Sequence, residues 1–273
     1  MATHVIGPLS YIGGKRRIAA KLASLIPDHT TYVEPFAGGA QVFFHKPRSK
    51  VEVLNDLDSE IVNFLRICQR HPQELSRLLR WQPASRRLFD QHLQQPPEVL
   101  TDIERAARFL YLQKNGWGGK RTRQNFHYAV QKPASYAPAS LPKRLQEVAQ
   151  RLDRVQLESL PYEDILTKYD RPTTLFYCDP PYVGRSLYRF NFTDDDFARL
   201  AERLAAIRGK FLLSINDCAL SRTLFRAFHC REISLAYTST RRVPTVTELI
   251  FSNYPFPPQA QPQTPASDDP VAA

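Results

Sequence analysis

Asp179-Pro-Pro-Tyr182 sets a carboxylate, two imino acids and an aromatic ring at the end of an apolar run, Leu175 to Cys178. Proline gives no amide N–H to a sheet and biases the preceding residue away from helix, so a strand through that run must stop at Asp179. The carboxylate then sits at a strand's carboxyl end, where open α/β sheets place their ligands. Pro180-Pro181 presents outward carbonyls with no competing donor, and Tyr182 adds a flat face. Together these groups suit gripping an exocyclic amine on a planar base. The carboxylate and a carbonyl would accept the two amine hydrogens while the ring stacks. An ordinary Asx-Pro turn after a strand would use the same residues, so the rest of the chain must decide. Cys178 points opposite to Asp179 in an extended strand, which argues against a thiol nucleophile acting on the same base.

The elements that must position this group begin near the N-terminus. Ser10-Tyr-Ile-Gly-Gly-Lys15 leads into a helix whose Ile18, Leu22, Leu25 and Ile26 share one face, with Pro27 ending it. Two glycines let the backbone approach a ligand closely, Lys15 could meet a carboxylate and Tyr11 could pack on a ring; a helix-capping turn would look the same. Next, a strand ends at Glu34, a Phe36-Ala-Gly38-Gly turn follows, and a helix begins near Ala40. This is a nucleotide-binding strand–turn–helix without the dinucleotide glycine spacing, and it lacks the Lys-Ser/Thr of a phosphate-cradling loop. A ligand with a nucleoside but no phosphate fits it. The strand Val51 to Leu54 ends in Asn55-Asp56, and Asp56 lies 18 residues beyond Gly38. That is close to the roughly 20 expected of an acid that bonds ribose hydroxyls, although a helix cap is the competing role. Asp58 is the expected cap of a helix through Ile61, Leu65 and Cys68.

Residues 66–154 break the strand–helix alternation and read as mostly helical. They hold 17 Lys+Arg against 7 Asp+Glu, whereas the remainder of the chain is balanced, so the whole formal charge of +10 lies in this insert. A neutral frame around a basic insert points to a polyanion. A helix from about Asp102 to Lys114 runs into Asn115-Gly-Trp117-Gly-Gly-Lys120-Arg121-Thr-Arg123-Gln124-Asn125-Phe126-His-Tyr128, and no acid occurs from Arg105 to Gln146. Lys120, Arg121 and Arg123 offer charge for phosphates. Trp117, Phe126 and Tyr128 offer faces or wedges for bases, and Gln124 and Asn125 carry amides of the kind that read adenine edges. A plain surface loop is the alternative.

Alternation resumes with a strand from Val155 to Leu160, a helix from Tyr162 to Tyr169 and the strand that ends at Asp179. Thr193 caps a helix with Asp194-Asp-Asp196 in its first turn, so that acidic run is structural rather than a metal cluster. A strand at Phe211 to Ile215 follows, and Ile233–Tyr237 with Val246–Phe251 predicts a closing antiparallel hairpin. The Pro/Gln/Ser-rich stretch 255–273 is expected to be disordered. No apolar run is long enough to span a bilayer, and the four cysteines lack zinc or disulfide spacing. The expectation is a soluble, cytoplasmic, monomeric α/β protein with a bipartite catalytic part, 1–65 and 155–254, around an inserted recognition unit, 66–154.

Four blocks stand in order: Tyr11…Gly-Gly-Lys15, Glu34-Pro-Phe-Ala-Gly-Gly39, Asn55-Asp56 and Asp179-Pro-Pro-Tyr182. With the basic insert before the last, the chain resembles the Dam-like family of adenine-N6 DNA methyltransferases, the D12 class, over residues 8–254. The resemblance implies a Rossmann-like S-adenosylmethionine-dependent methyltransferase fold, a mixed sheet ending in the hairpin, with a mostly helical DNA-recognition insert. It implies that Tyr11, Lys15, Asp56 and Asp179 contact S-adenosylmethionine, with Glu34, Phe36 and Gly38 in the cofactor-binding set. It also implies that Asp179, Pro180, Pro181 and Tyr182 hold a flipped-out adenine. Trp117, Lys120, Arg121, Arg123 and Asn125 are then the residues expected on double-stranded DNA. No metal is implied, and a cognate restriction endonuclease in a bacterial or phage setting is the expected partner. Two departures are Tyr11, where many relatives carry tryptophan, and a loop around Trp117–Tyr128 only loosely like that of GATC-reading members. Cytosine N4 or an RNA base is the alternative acceptor, and a non-catalytic DNA-binding module the alternative class.

Overall fold

The computed structural model describes residues 5, 7–9, 15–116, 124–128, 134, 136–186, 188–235 and 246–258. The described residues form seven strands: β1 (Thr31–Glu34), β2 (Val51–Asn55), β3 (Gln156–Glu158), β4 (Thr174–Cys178), β5 (Lys210–Asn216), β6 (His229–Leu235) and β7 (Val246–Ser252). They make one sheet in the order β3-β2-β1-β4-β5-β7-β6. Pairing is parallel from β3 to β5, while β7 runs antiparallel to both β5 and β6. All five residues of β4 are buried, as expected of a central strand covered on both faces. β1 pairs with β2 on one side and β4 on the other, so the strand order reverses between β1 and β4. Their carboxyl ends define the crevice where such sheets bind ligands.

Side-chain alternation divides the core in two. Tyr32, Leu54, Leu175, Tyr177 and Ile250 belong to one hydrophobic cluster, and Val33, Val53, Phe176, Cys178 and Phe251 to the other. The first cluster is covered by the short helices α1 (Ala19–Ala23) and α2 (Gln41–His45) and by α3 (Ser59–Arg70), α4 (Pro72–Leu79), α5 (Arg86–Gln94), α6 (Asp102–Asn115) and α7 (Leu141–Leu152). The second is covered by α8 (Tyr162–Tyr169), α9 (Asp194–Ala206) and α10 (Ala219–Leu224). Helix starts follow the expected chemistry: the Asp58 side chain accepts from Glu60 N, and Thr193 forms a capping box with Asp196.

The described part of the basic stretch is mostly helical, and buried apolar residues on its helices share a cluster with the sheet. Leu79, Phe89, Phe109, Tyr111 and Leu145 join the same cluster as Tyr32 and Leu175. A buried ion pair adds to this. Arg151 on α7 donates to both carboxylate oxygens of Glu52 on β2, at 2.5 and 2.9 Å, and Lys46 meets Glu52 at 2.7 Å.

Several boundaries differ from the sequence expectation, among them that of β6, which starts at His229 rather than Ile233. The first helix is split into a 3-10 turn at Lys15–Arg17 and the five residues of α1. β3 stops at Glu158 because the Asn55 side chain takes over: its Oδ1 accepts from Leu160 N, and its Nδ2 donates to Leu160 O. The tail begins packed, with the Arg231 guanidinium over the Phe256 ring at 4.8 Å and donating to Pro257 O at 2.6 Å; residues 259–273 lie outside the described part. Among the described residues no helix is long and apolar enough to cross a membrane.

Candidate active site

Asp179 follows the last residue of β4, on the side of Tyr177 rather than Cys178. Lys15 Nζ donates to its Oδ1 at 2.6 Å and Ser214 Oγ, from β5, at 3.3 Å. Ser214 Oγ in turn lies 2.9 Å from the Tyr177 hydroxyl. The Asp179 side chain is 24% exposed, whereas that of Lys15 is 3% exposed. Burial pushes the Asp179 carboxyl up to about 6, with Lys15 working against the rise and Glu248 adding to it. Burial alone would lower the Lys15 ammonium, but the carboxylates of Asp179 and Glu248 outweigh it and hold its pKa well above the usual lysine range.

The backbone beyond Asp179 is fixed by its neighbours. Pro180 is buried, and the Asn216 side chain at the end of β5 clamps Val183, accepting from its N at 2.9 Å and donating to its O at 3.3 Å. Gly184, at φ +70°, turns the chain so that Arg185 N donates to Tyr182 O.

Across the switch point, Glu34 ends β1 with 1% exposure, accepting from the Tyr32 hydroxyl and from Phe43 N. Burial pushes its carboxyl up to about 8 against those two hydrogen bonds. The turn after it takes left-handed backbone at Gly38 and Ala40, both at φ +47°. Asp56, just past β2, accepts from Gly38 N and from Asp58 N, each at 2.8 Å. It therefore ties the turn to the residue that caps α3, Asp58, and is not itself the cap. It also lines the open cleft beside them.

That cleft has a volume of about 520 Å³, within the usual range for small-molecule sites, and Phe36, Asp56, Tyr162, Asp179, Pro181 and Phe192 form part of its wall. Phe36 packs against Tyr162 and Phe192 at centroid distances of 5.3 and 5.7 Å, giving an aromatic wall. A smaller cavity of about 40 Å³ adjoins it, lined by Lys15, Glu34, Gly38, Tyr177, Asp179 and Tyr188. Asp179 borders both. Among the described residues no His/Cys/Asp/Glu group is placed to hold a metal.

The sequence profile of the D12 class N6 adenine-specific DNA methyltransferases matches residues 11–239. The chain belongs to this family. Relatives include the type II methyltransferase M1.LlaDCHI of Lactococcus lactis subsp. cremoris, 24% identical over 269 residues, covering 89% of this chain and 94% of that protein. The DNA adenine methylase of Vibrio cholerae is 27% identical over 259 residues, covering 85% and 89%. The retron Ec67 DNA adenine methylase of Escherichia coli is 26% identical over 231 residues, covering 81% and 80%. The protein is thus a site-specific DNA N6-adenine methyltransferase, and its family implies an S-adenosylmethionine methyl donor.

Of the residues singled out in this methyltransferase by sequence, Lys15, Glu34, Phe36, Gly38, Asp56, Asp179, Pro181 and Tyr182 converge on the switch point. Tyr11, Trp117, Lys120, Arg121 and Arg123 lie outside the described residues. Asn125 is exposed, and Tyr128 is 68% exposed. Phe126 is partly buried: it packs against Phe89 at 5.7 Å, with the Arg86 guanidinium over its ring, beside a bridge to Gly116.

Sequence reasoning missed Ser214, Asn216, Tyr188 and above all Glu248. The one available signal was a lone acid inside the apolar run Val246-Thr-Glu248-Leu-Ile-Phe251. Cys178 is fully buried, and burial pushes its thiol far up, so no thiolate faces the site. Cys178→Ala should therefore keep methyl transfer within about threefold of wild type, any loss coming from core packing; a steady-state assay with labelled donor checks it, and a loss beyond about a hundredfold would restore the thiol to the mechanism.

Proposed function

We propose that S-adenosylmethionine occupies the cleft between the ends of β1, β2 and β4, and that Asp179-Pro-Pro-Tyr182 holds a flipped-out adenine beside it. The observation that carries this reading is the position of Asp179, a half-shielded carboxylate bordering both cavities at the switch point. The residues present suit the donor. The Phe36, Tyr162 and Phe192 wall suits a purine ring, Asp56 suits ribose hydroxyls, and Glu34 and Lys15 suit an amino acid's charged ends. When bound, the donor supplies a methyl already activated on a sulfonium, so the protein's task is positioning and electrostatics.

Adenine N6 is a poor nucleophile because its lone pair is delocalised into the ring. A duplex also buries it, and flipping the base out costs about a few kcal/mol, as for methyltransferases generally. Lys15 and Ser214 both bind Oδ1 of Asp179, which leaves Oδ2 to accept one N6 hydrogen. The Pro180 carbonyl accepts the other, drawing N6 toward a tetrahedral geometry with its lone pair forward. Tyr182 stacks on the base. The carboxylate then faces the positive charge that arises on N6, and the proton leaves after transfer.

In the same reading, residues 66–154 are the target-recognition unit, and Trp117, Lys120, Arg121, Arg123 and Asn125 contact duplex DNA. The enzyme acts as a monomer in the cytoplasm of a bacterial or phage-infected cell. A type II methyltransferase among its relatives makes a cognate restriction endonuclease part of the proposal.

Asp56→Ala tests the donor site. Isothermal titration with S-adenosylmethionine should show affinity lowered about tenfold or more, since a buried ribose hydroxyl pair loses its acceptor. Unchanged affinity, with the fold intact by circular dichroism, would move the ribose away from β2.

A further inference from the structure

We infer that Glu248 is a positioning residue for methyl transfer: one of its carboxylate oxygens tethers Tyr182, while the other shares the Lys15 ammonium with Asp179. The inference rests on Asp179 being the group that accepts the N6 hydrogens. Glu248 stands on β7, opposite Asn216 of β5 and Ile233 of β6, and is completely shielded from solvent. An acid in that position needs partners, because an isolated buried charge is too costly to keep.

Its partners are two residues of the site. Lys15 Nζ lies 3.0 Å from Oε1, and the Tyr182 hydroxyl donates to Oε2 at 3.1 Å. The same ammonium donates to Asp179 Oδ1 at 2.6 Å and to the Tyr182 hydroxyl at 3.1 Å, and sits over the Tyr182 ring at 4.8 Å. The Tyr182 hydroxyl therefore accepts from Lys15 and donates to Glu248. None of the sequence motifs that mark the site contains Glu248, which joins it from 66 residues beyond Tyr182.

Two consequences follow from one cation serving two acids. Asp179 is neutralised only in part, so it stays a stronger hydrogen-bond acceptor than a carboxylate with a cation to itself. The Tyr182 ring is also held at its far end, so its plane is set before a base arrives and the ordering is not deferred to the encounter.

The electrostatic consequence has a definite sign. Among the described residues the titratable groups facing Asp179 are Lys15, Glu34, Tyr177, Tyr182, Tyr188 and Glu248. Burial raises the Asp179 carboxyl most, Lys15 lowers it, and Glu248 raises it. Replacing Glu248 by glutamine removes a negative neighbour, and Asp179 then gives up its proton at lower pH. Since only the ionised carboxylate accepts from N6 without competing, the acid limb of the rate profile moves down with it.

The experiment is single-turnover methyl transfer from labelled S-adenosylmethionine to duplex DNA across about pH 5 to 8. E248Q should show an acid limb about half a unit or more below that of wild type and a plateau rate about tenfold lower, the size of one charged hydrogen bond. E248D, which keeps the charge, should keep the wild-type limb. A purely structural role would lower the plateau and leave the limb in place, so an unmoved limb in folded E248Q overturns the inference. If E248Q does not fold, Y182F decides: it keeps the ring and the charges but loses the tether, and a wild-type plateau rate would overturn the inference, whereas about a tenfold loss with an unmoved limb supports it. Full activity in D179A would instead remove the underlying role of Asp179, which separates the two failures.

Discussion

Asp179→Ala should lose methyl transfer by on the order of 10³-fold in single-turnover rate while binding duplex DNA within about tenfold of wild type. The size follows from what the side chain is placed to do. Among the described residues it is the one carboxylate that borders both cavities, and Lys15 and Ser214 both bind its Oδ1 rather than Oδ2. Without it, N6 keeps its delocalised lone pair, and the charge arising on nitrogen meets no anion. Under the proposed function DNA affinity rests instead on phosphate contacts, since the excess positive charge lies in residues 66–154. Fluorescence anisotropy with labelled duplex and a filter assay for methyl incorporation measure the two quantities separately. Activity equal to wild type would contradict the mechanism, and a parallel collapse of DNA binding would show that Asp179 acts mainly in docking.

Lys15→Met should cost stability as well as activity. The substitution keeps most of the side-chain volume but leaves Asp179 and Glu248 facing each other with their shared cation gone. Breaking a buried ion pair from one side costs about 3–5 kcal/mol, because the partner charge stays behind. Asp179 is already raised to about 6, and Lys15 is the neighbour that lowers it, so in K15M its carboxyl rises further. A carboxyl whose folded-state pKa is raised above its unfolded value favours the folded state at low pH, and that advantage is lost as pH rises past the unfolded value. Urea denaturation of K15M should thus give a smaller unfolding free energy at pH 8 than at pH 6, with transfer activity displaced to higher pH. A stability indistinguishable from wild type at both values would mean that the cluster is solvated and carries little of the site's energy.

Much of this site was legible because its key residues sit where strands must end. Pro180-Pro181 forces the end of β4, and the acid before it is left at the sheet's edge; the 18-residue spacing from Gly38 to Asp56 reports the next strand's end. The β6–β7 hairpin was legible from two apolar-rich stretches on either side of the polar sequence Ser239-Thr-Arg-Arg242. Glu248 was not, because its partners come from residues 15, 179 and 182 and no local pattern links them. For Asp56 the spacing offered a ribose ligand or a helix cap, but not its hydrogen bonds to Gly38 N and Asp58 N, which hold the turn beside the cleft. What the helices of the basic stretch pack against was the least legible feature. Helical periodicity says that apolar faces exist, but not that Phe109, Tyr111 and Leu145 pack into the same cluster as Tyr32 on β1.

A crystal structure with duplex DNA and a non-reactive S-adenosylmethionine analogue measures directly whether the Asp179 carboxylate holds adenine N6 against a donor in the switch-point cleft. The expected result is an everted adenine with N6 about 3 Å from both Asp179 Oδ2 and the Pro180 carbonyl, and the analogue between Phe36 and Asp56. An analogue bound away from β1 and β2, or an everted base with N6 beyond hydrogen-bond reach of Asp179, would contradict it.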